Sequence, residues 1–260
     1  MSPSPIPKKS LGQHWLNDED SLVAMCEAAG LNEKDTVLEI GPGLGTLTSL
    51  LVEGAQKVIA VEFDEYLARN LPARVKANNL EILSQDILSL DFSQLPTGYK
   101  VIANIPYYLT SNLIRVISET PNPPASATLL VQKEVAQRVA AKPGDMSLLS
   151  VTAQFYWEVS LDREIPARLF TPPPKVDSQI LVLKRRPGPL FDVDSKTFFR
   201  LVKAGYSQRR KTLLNSLSAG LSLDKDTTKA LCEAANIDPK RRAQTLSLEE
   251  WHSLYQANNA

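Results

Sequence analysis

Histidine is almost missing from this 260-residue sequence: only His14 and His252 occur. A histidine-built metal centre or a Ser-His pair therefore has little to be made from, and no metal is expected. Cysteine is as sparse. Cys26 and Cys232 lie far apart without metal-type spacing, so they read as free thiols of a reducing, cytoplasmic compartment. No run approaches the roughly 20 apolar residues of a membrane helix, so no membrane partner is expected. Met1 to Lys9 is rich in Ser and Pro, ends in two lysines and has no apolar core. It reads as a flexible tail, not an export signal. Net charge is also absent, with 29 Lys+Arg against 29 Asp+Glu. That zero conceals a segregation. Residues 1–184 carry 16 basic and 21 acidic side chains, and residues 185–260 carry 13 basic and 8 acidic. An acidic body with a basic C-terminal part fits a protein whose tail meets a polyanion.

What is present is a strand–helix alternation. Thr36–Ile40 is β-rich and breaks at Gly41-Pro42-Gly43-Leu44-Gly45, after which Thr46–Glu53 has a helical pattern. Lys57–Glu62, Leu80–Leu83, Lys100–Ala103 and Ala127–Val131 read as further strands, with helices at 20–29, 64–77, 113–118, 133–141 and 148–157. This spacing predicts a doubly wound, mostly parallel sheet. Trp157–Ile165 and Gln179–Leu183 follow one another without a helix between them, which predicts an antiparallel edge. Arg185-Arg186-Pro187-Gly188-Pro189 marks a domain boundary. The reading is a domain over 1–186, with 1–18 as an N-terminal arm, and a basic all-helical domain over 187–260. Helices are expected in the second at about 195–205, 209–219, 225–235 and 247–257.

In such a sheet, ligands bind beyond the carboxyl ends of the strands. Four features stand there: the glycine loop, Glu62, Asp86 and Asn104. The loop is Gly-x-Gly-x-Gly, which lets backbone approach a ligand but departs from the dinucleotide fingerprint in its third glycine. Glu62 can accept both hydroxyls of a ribose. Asp86 can accept from an adenine amine, and equally fits a helix N-cap. Asn104-Ile105-Pro106-Tyr107-Tyr108 ends the fourth strand with an amide, a proline and two aromatics. An amide oxygen accepts from an exocyclic amine and a tyrosine stacks on a flat ring. The same five residues also fit a strand closing in a turn with its tyrosines packed at the core edge.

Five separated segments occur together in order: Leu11-Gly12-Gln13-His14-Trp15-Leu16, Glu39 to Gly45, Asn104 to Tyr108, Phe170-Thr171-Pro172-Pro173-Pro174-Lys175-Val176-Asp177-Ser178, and Ser207-Gln208-Arg209-Arg210-Lys211-Thr212-Leu213. In these the chain resembles the ribosomal RNA adenine N6,N6-dimethyltransferase family, across nearly its whole length. The resemblance implies a Rossmann-like methyltransferase fold and S-adenosyl-L-methionine as cofactor. It implies dimethylation of two adjacent adenosines in the 3′-terminal hairpin of small-subunit rRNA, with a role in subunit biogenesis. His14 and Leu16 would border the methionine end of the cofactor, Gly41 pack against it, Glu62 hold the ribose and Asp86 the adenine. Asn104 would face both cofactor and target amine, with Ile105 contributing its carbonyl and Tyr107 stacking on the flipped base. Phe170 would cover the other face of that base, or simply pack.

Phosphate contacts are expected from Arg209, Arg210 and Lys211 and from Lys240, Arg241 and Arg242, within a precursor ribosomal particle bound by a monomer. Two departures from the family pattern stand out. Trp15 replaces a usual phenylalanine, and Gln244 replaces a usual glutamate, removing an ion pair. Rival readings are a large-subunit rRNA adenine methyltransferase of the antibiotic-resistance type, and an assembly factor in which binding outweighs catalysis.

Overall fold

The computed structural model describes Pro7, Lys8 and residues 11–259. The tail expected over Met1 to Lys9 falls mostly outside the described residues. The chain divides into two compact units. One runs to Gln137 and resumes over Trp157–Arg185; the other comprises Arg138–Tyr156 and the chain from Arg186 onward.

The first unit opens with a two-residue strand, β1 (Trp15–Leu16), then α1 (Glu19–Ala28). Asp18 caps α1 by accepting from the Ser21 N–H, and Gly30, at φ +54°, lies just past its end. The alternation continues with β2 (Thr36–Ile40), α2 (Thr46–Gly54), β3 (Lys57–Glu62), α3 (Glu65–Arg74) and β4 (Leu80–Ser84). It goes on with β5 (Lys100–Asn104), α4 (Thr110–Glu119), β6 (Ser126–Gln132) and α5 (Lys133–Val139). α3 stops three residues short of the expected Ala77, soon after Pro72. The segment Leu148–Tyr156 forms α6, followed by β7 (Trp157–Ile165), β8 (Phe170–Thr171) and β9 (Ser178–Arg185).

Seven strands make one sheet in the order β4-β3-β2-β5-β6-β9-β7. Strands β2 to β6 pair in parallel, while β9 pairs antiparallel with both β6 and β7. The Rossmann-like, mostly parallel sheet with an antiparallel edge is thus present. Parallel strands covered on both faces read as continuous apolar runs, and Val37, Leu38, Val58, Val101 and Ile102 are fully buried. The chain leaves β2 for β3 and β4 on one side and returns to β5 on the other, so the topological switch lies between β2 and β5.

The N-terminal arm, for which the sequence predicts no strand, contains one. β1 pairs antiparallel with β8, Trp15 opposite Thr171 and Leu16 opposite Phe170. Leu16 and Phe170, at 1% and 2% exposure, enter the same core cluster as Leu22, Met25 and Leu51.

The second unit contains α6 together with α7 (Ser195–Tyr206), α8 (Leu213–Leu221), α9 (Lys225–Ala234) and α10 (Leu248–Asn259). A single cut after residue 186 therefore needs correction, because 138–156 belongs here. The physical reason is aromatic packing. Phe155 stacks on Phe198 at 4.9 Å and meets Phe199 edge-on at 5.2 Å. α8 also starts later than the expected residue 209. The N–H groups of Leu213 and Leu214 go to the carbonyls of Arg241 and Pro239, so the helix begins where that pairing lets it.

Candidate active site

The pocket lies at the carboxyl ends of β2, β3, β4 and β5. His14, Leu16, Gly41, Glu62, Asp86, Asn104, Ile105 and Tyr107 all line it. These residues, up to 93 positions apart in sequence, meet there, His14 and Leu16 from the arm and the others from the strand ends.

The loop after β2 is shaped for close approach. Gly41, Gly43 and Gly45 all have positive φ. A Cβ on Gly45 would lie 2.8 Å from both the Leu71 and Val75 side chains, and one on Gly43 would lie 3.3 Å from the Trp15 indole. Neither position tolerates a side chain without movement. Trp15, the departure from the family pattern, is thus the residue that lies over the loop.

Glu62 ends β3 at 6% exposure. Its Oε2 accepts from the Gly43 N–H at 3.0 Å and its Oε1 from the Asp64 N–H at 2.9 Å. Burial holds its pKa above the usual carboxylate value, and those backbone N–H groups oppose the rise. Each oxygen keeps a lone pair for a ligand hydroxyl. Asp64 is a further acid at this strand end, and Glu62-Phe63-Asp64 is its signal in the sequence. Its side chain meets Lys8 Nζ at 2.7 Å and Gln13 Nε2 at 3.5 Å, so the N-terminal arm is tied down beside Glu62.

Asp86 holds both of its readings at once. It caps a short 3-10 turn, Oδ1 accepting from the Leu88 N–H at 2.9 Å, and it lines the pocket. Its Oδ2 makes no hydrogen bond among the described residues.

Asn104 Nδ2 donates to the His14 carbonyl at 3.4 Å, and its Oδ1 accepts nothing among the described residues. With Nδ2 so engaged, Oδ1 is the end left for an incoming amine. His14 donates from Nδ1 to the Pro172 carbonyl at 2.7 Å, and its ring stacks on Tyr107 at 5.8 Å between centroids. The Tyr107 hydroxyl bonds Ser178 Oγ at 2.8 Å, and burial raises its pKa above the ordinary phenol value. Tyr107 is therefore a fixed, neutral ring. Ile105 is buried at 2%. Phe170 is core, which decides it as a packing residue.

One fully buried polar atom in the pocket wall has no hydrogen-bond partner. Glu39 is 1% exposed, and its Oε2 makes no hydrogen bond. Burial raises its pKa to about 8, the nearby Thr48 side chain opposing the rise and Glu62 adding a smaller push. An orphaned buried acceptor, a loop that rejects side chains and two acids at adjacent strand ends together suit a ligand bearing an amine and a nucleoside.

In the second unit, the backbone bonds from Leu213 and Leu214 to Arg241 and Pro239 bring the two basic segments side by side. Arg209, Arg210, Lys211, Lys240 and Arg242 are exposed. Their side chains form no ion pair among the described residues. Arg241 differs and is a correction. Its guanidinium grips Glu250, with Nη2 to Oε2 at 3.0 Å, and Nη2 also donates to the Thr245 carbonyl at 2.6 Å. That bond network makes it a brace rather than a free cation. Gln244 has its own use. Its side-chain amide donates to the Gly144 carbonyl at 3.1 Å, while its main-chain carbonyl accepts from the N–H groups of Gly144 and Met146.

The chain is similar over nearly its whole length to known proteins. The family model "Ribosomal RNA adenine dimethylase" matches residues 7–259. "Ribosomal RNA small subunit methyltransferase A" of Dehalococcoides mccartyi is 42% identical over 252 residues, covering 95% of this chain and 87% of its own. Among solved structures, a dimethyladenosine transferase from Plasmodium falciparum superposes with a TM-score of 0.79 at 26% identity, covering 95% of this chain and 98% of its own. The 23S rRNA methyltransferase ErmE superposes at 0.75 and 27%, covering 95% and 100%. With its pocket on the strand ends and its family motifs spread along the whole chain, this protein belongs to the ribosomal RNA adenine dimethylase family of methyltransferases.

Proposed function

We propose that the protein transfers methyl groups from S-adenosyl-L-methionine to N6 of two adjacent adenosines in the 3′-terminal hairpin of small-subunit rRNA, dimethylating each. The observation that carries this reading is the meeting of the glycine loop, Glu62, Asp86 and Asn104 in one pocket. The 42% identity to an enzyme named ribosomal RNA small subunit methyltransferase A, over 95% of this chain, favours the small-subunit substrate.

S-adenosylmethionine supplies an electrophilic sulfonium methyl. Glu62 accepts from the ribose hydroxyls and Asp86 Oδ2 from the adenine amine. Glu39 Oε2 faces the polar methionine end, bordered by His14, Leu16 and Gly41. On the target side, Asn104 Oδ1 and the Ile105 carbonyl accept the two N6–H groups. Adenine N6 is a poor nucleophile because its lone pair is delocalised into the ring. Holding both N–H bonds favours a pyramidal nitrogen with its lone pair available for in-line attack. Positioning supplies the rate, and because the methylated, cationic nitrogen is strongly acidic its N–H proton would pass to solvent without a strong base. Tyr107, fixed by Ser178 and His14, stacks on the flipped base. Arg209, Arg210, Lys211, Lys240 and Arg242 supply phosphate contacts. The protein acts as a monomer on a precursor particle in the cytoplasm. No helix among the described residues is long and apolar enough to cross a membrane, and they hold no cluster of metal-ligating side chains.

Mass spectrometry of rRNA from cells with and without the protein tests the reading. Loss of adjacent N6,N6-dimethyladenosines from the small-subunit RNA alone is expected. Loss from the large-subunit RNA would transfer the assignment to the resistance-type reaction. Unchanged modification with defective subunit maturation would leave only the assembly role.

A further inference from the structure

Two tyrosines stand in tandem at the pocket mouth, and they are held differently. Tyr107 is fixed through its hydroxyl and its ring. Tyr108 lines the same pocket at 68% exposure, the highest of any large apolar side chain among the described residues. Its hydroxyl has no hydrogen-bond partner among them. One edge of its ring rests on the arm. A Cβ at Gly12 would lie 3.6 Å from Cδ1 and 3.7 Å from Cε1, with the Pro106 side chain at 3.8 Å. The ring thus lies beside the Gly12 main chain while most of it faces water.

We propose that Tyr108 is a specificity-determining residue that stacks on the base adjoining the flipped target adenine. This deepens the reading given under Proposed function and rests on it. Flipping a base removes a stacking partner from its neighbour, whose π-face is then bare. An exposed aromatic one residue beyond the target-stacking ring can replace that lost partner. Every base has a π-face, but a purine offers the larger one. The substrate it selects is therefore a purine–adenosine step, which two adjacent adenosines satisfy whichever of them is flipped. Phe63 and Leu88 are also exposed at this mouth. They follow Glu62 and Asp86, on the strand ends assigned to the methyl donor. Tyr108 belongs to the segment assigned to the target. Placing a mostly exposed ring beside Gly12 also limits the freedom it loses when a base arrives.

The test uses unmethylated small ribosomal subunits, from cells lacking this protein, as substrate for the full-length enzyme. Tyr108→Ala is expected to raise the KM for subunits about five- to a hundred-fold, the range of one lost base–aromatic stack. The KM for S-adenosylmethionine should stay unchanged. Tyr108→Phe and Tyr108→Trp should restore the wild-type value, and Tyr108→Leu should not. A hairpin RNA with 2-aminopurine beside the target adenosine should lose fluorescence on binding wild type and keep it with Tyr108→Leu. Leu behaving like Phe, or a change in the KM for the methyl donor instead of the subunit, overturns the assignment. Wild-type protein that leaves the subunits unmethylated overturns the function itself, and Tyr108's role with it. Normal wild-type activity with an unaffected Tyr108→Leu variant removes the Tyr108 role alone.

Discussion

Replacing Glu39 with glutamine should stabilise the protein, and the gain should grow with pH. Glu39 is 1% exposed, with one carboxylate oxygen unpartnered. Burial raises its pKa from 4.5 to about 8. Below pH 4.5 the carboxyl is protonated in both folded and unfolded chains, and its titration contributes nothing to stability. As pH rises, only the unfolded chain ionises. The unfolded state then binds fewer protons than the native one, so stability falls with pH. The slope is about 1.4 kcal/mol per pH unit, and the fall ends near the folded value of about 8. At neutral pH this amounts to at most ~3 kcal/mol, a large share of the ~5–15 kcal/mol that usually separates native from unfolded states. Glu39→Gln is nearly isosteric and cannot ionise. Urea melts without cofactor, at constant ionic strength and at about pH 5, 7 and 8.5, would give the difference directly. We expect little gain at the acid end, a few kcal/mol at neutrality and a plateau at the alkaline end. A gain independent of pH, or a loss at every pH, would refute the burial of a neutral carboxyl here.

The remaining predictions concern the reaction. Asn104→Ala should lower methyl transfer by at least ~100-fold, as loss of a transition-state hydrogen bond does, while cofactor affinity stays within a few-fold by calorimetry. Glu62→Ala should do the reverse at the binding step. Losing a charged hydrogen-bond acceptor of about 1.5–3 kcal/mol weakens cofactor binding roughly ten- to a hundred-fold, and unchanged affinity would remove its ribose role. Neutralising Arg209, Arg210 and Lys211 together should flatten the plot of log affinity for RNA against log salt by about 2–3 in slope. An unaltered slope would show that these side chains do not meet phosphates.

Much of this architecture can be read from the chain because its signals are local. Thr36–Ile40 and Lys57–Glu62 are short β-rich runs, the first followed by a glycine and the second ending in an acid, and both strands occur with those bounds. The glycine loop and the three polar strand ends follow once the strands are placed. What escapes is non-local. β1 and β8 are two-residue strands that exist only because residues about 155 positions apart pair, and so short a stretch carries no periodicity. Arg241 reads as one of three cations in a row, yet Glu250, nine residues on, claims its guanidinium. Residues 138–156 lie among sheet elements in sequence, but Phe155 packs on Phe198 and Phe199. Tyr107 and Tyr108 are identical in type, and only Ser178, His14 and Gly12 tell the fixed ring from the exposed one.

The same distinction decides what holds the N-terminal arm over the pocket. Two anchors are visible. Lys8 pairs with Asp64, whose carboxyl is held below the usual value because Lys8 and nearby N–H groups outweigh the effect of burial. Leu16 is buried at 1% in the core beside Phe170, and its carbonyl accepts from Thr46 Oγ1 at 3.0 Å. The lysine side of the ion pair is 55% exposed, so solvent and salt screen it and its worth is at most ~1 kcal/mol. Truncating a fully buried leucine removes ~2–5 kcal/mol. Apolar burial should therefore dominate. Lys8→Ala should leave the KM for S-adenosylmethionine within a few-fold, and added salt should not mimic a loosened arm. Leu16→Ala should raise that KM well beyond it, and hydrogen exchange should show the β1–β8 pairing opening more often while β2 and β3 stay protected. If Lys8→Ala proves the more damaging, the arm is held electrostatically from its outer end, and the β1–β8 pairing follows closure instead of causing it.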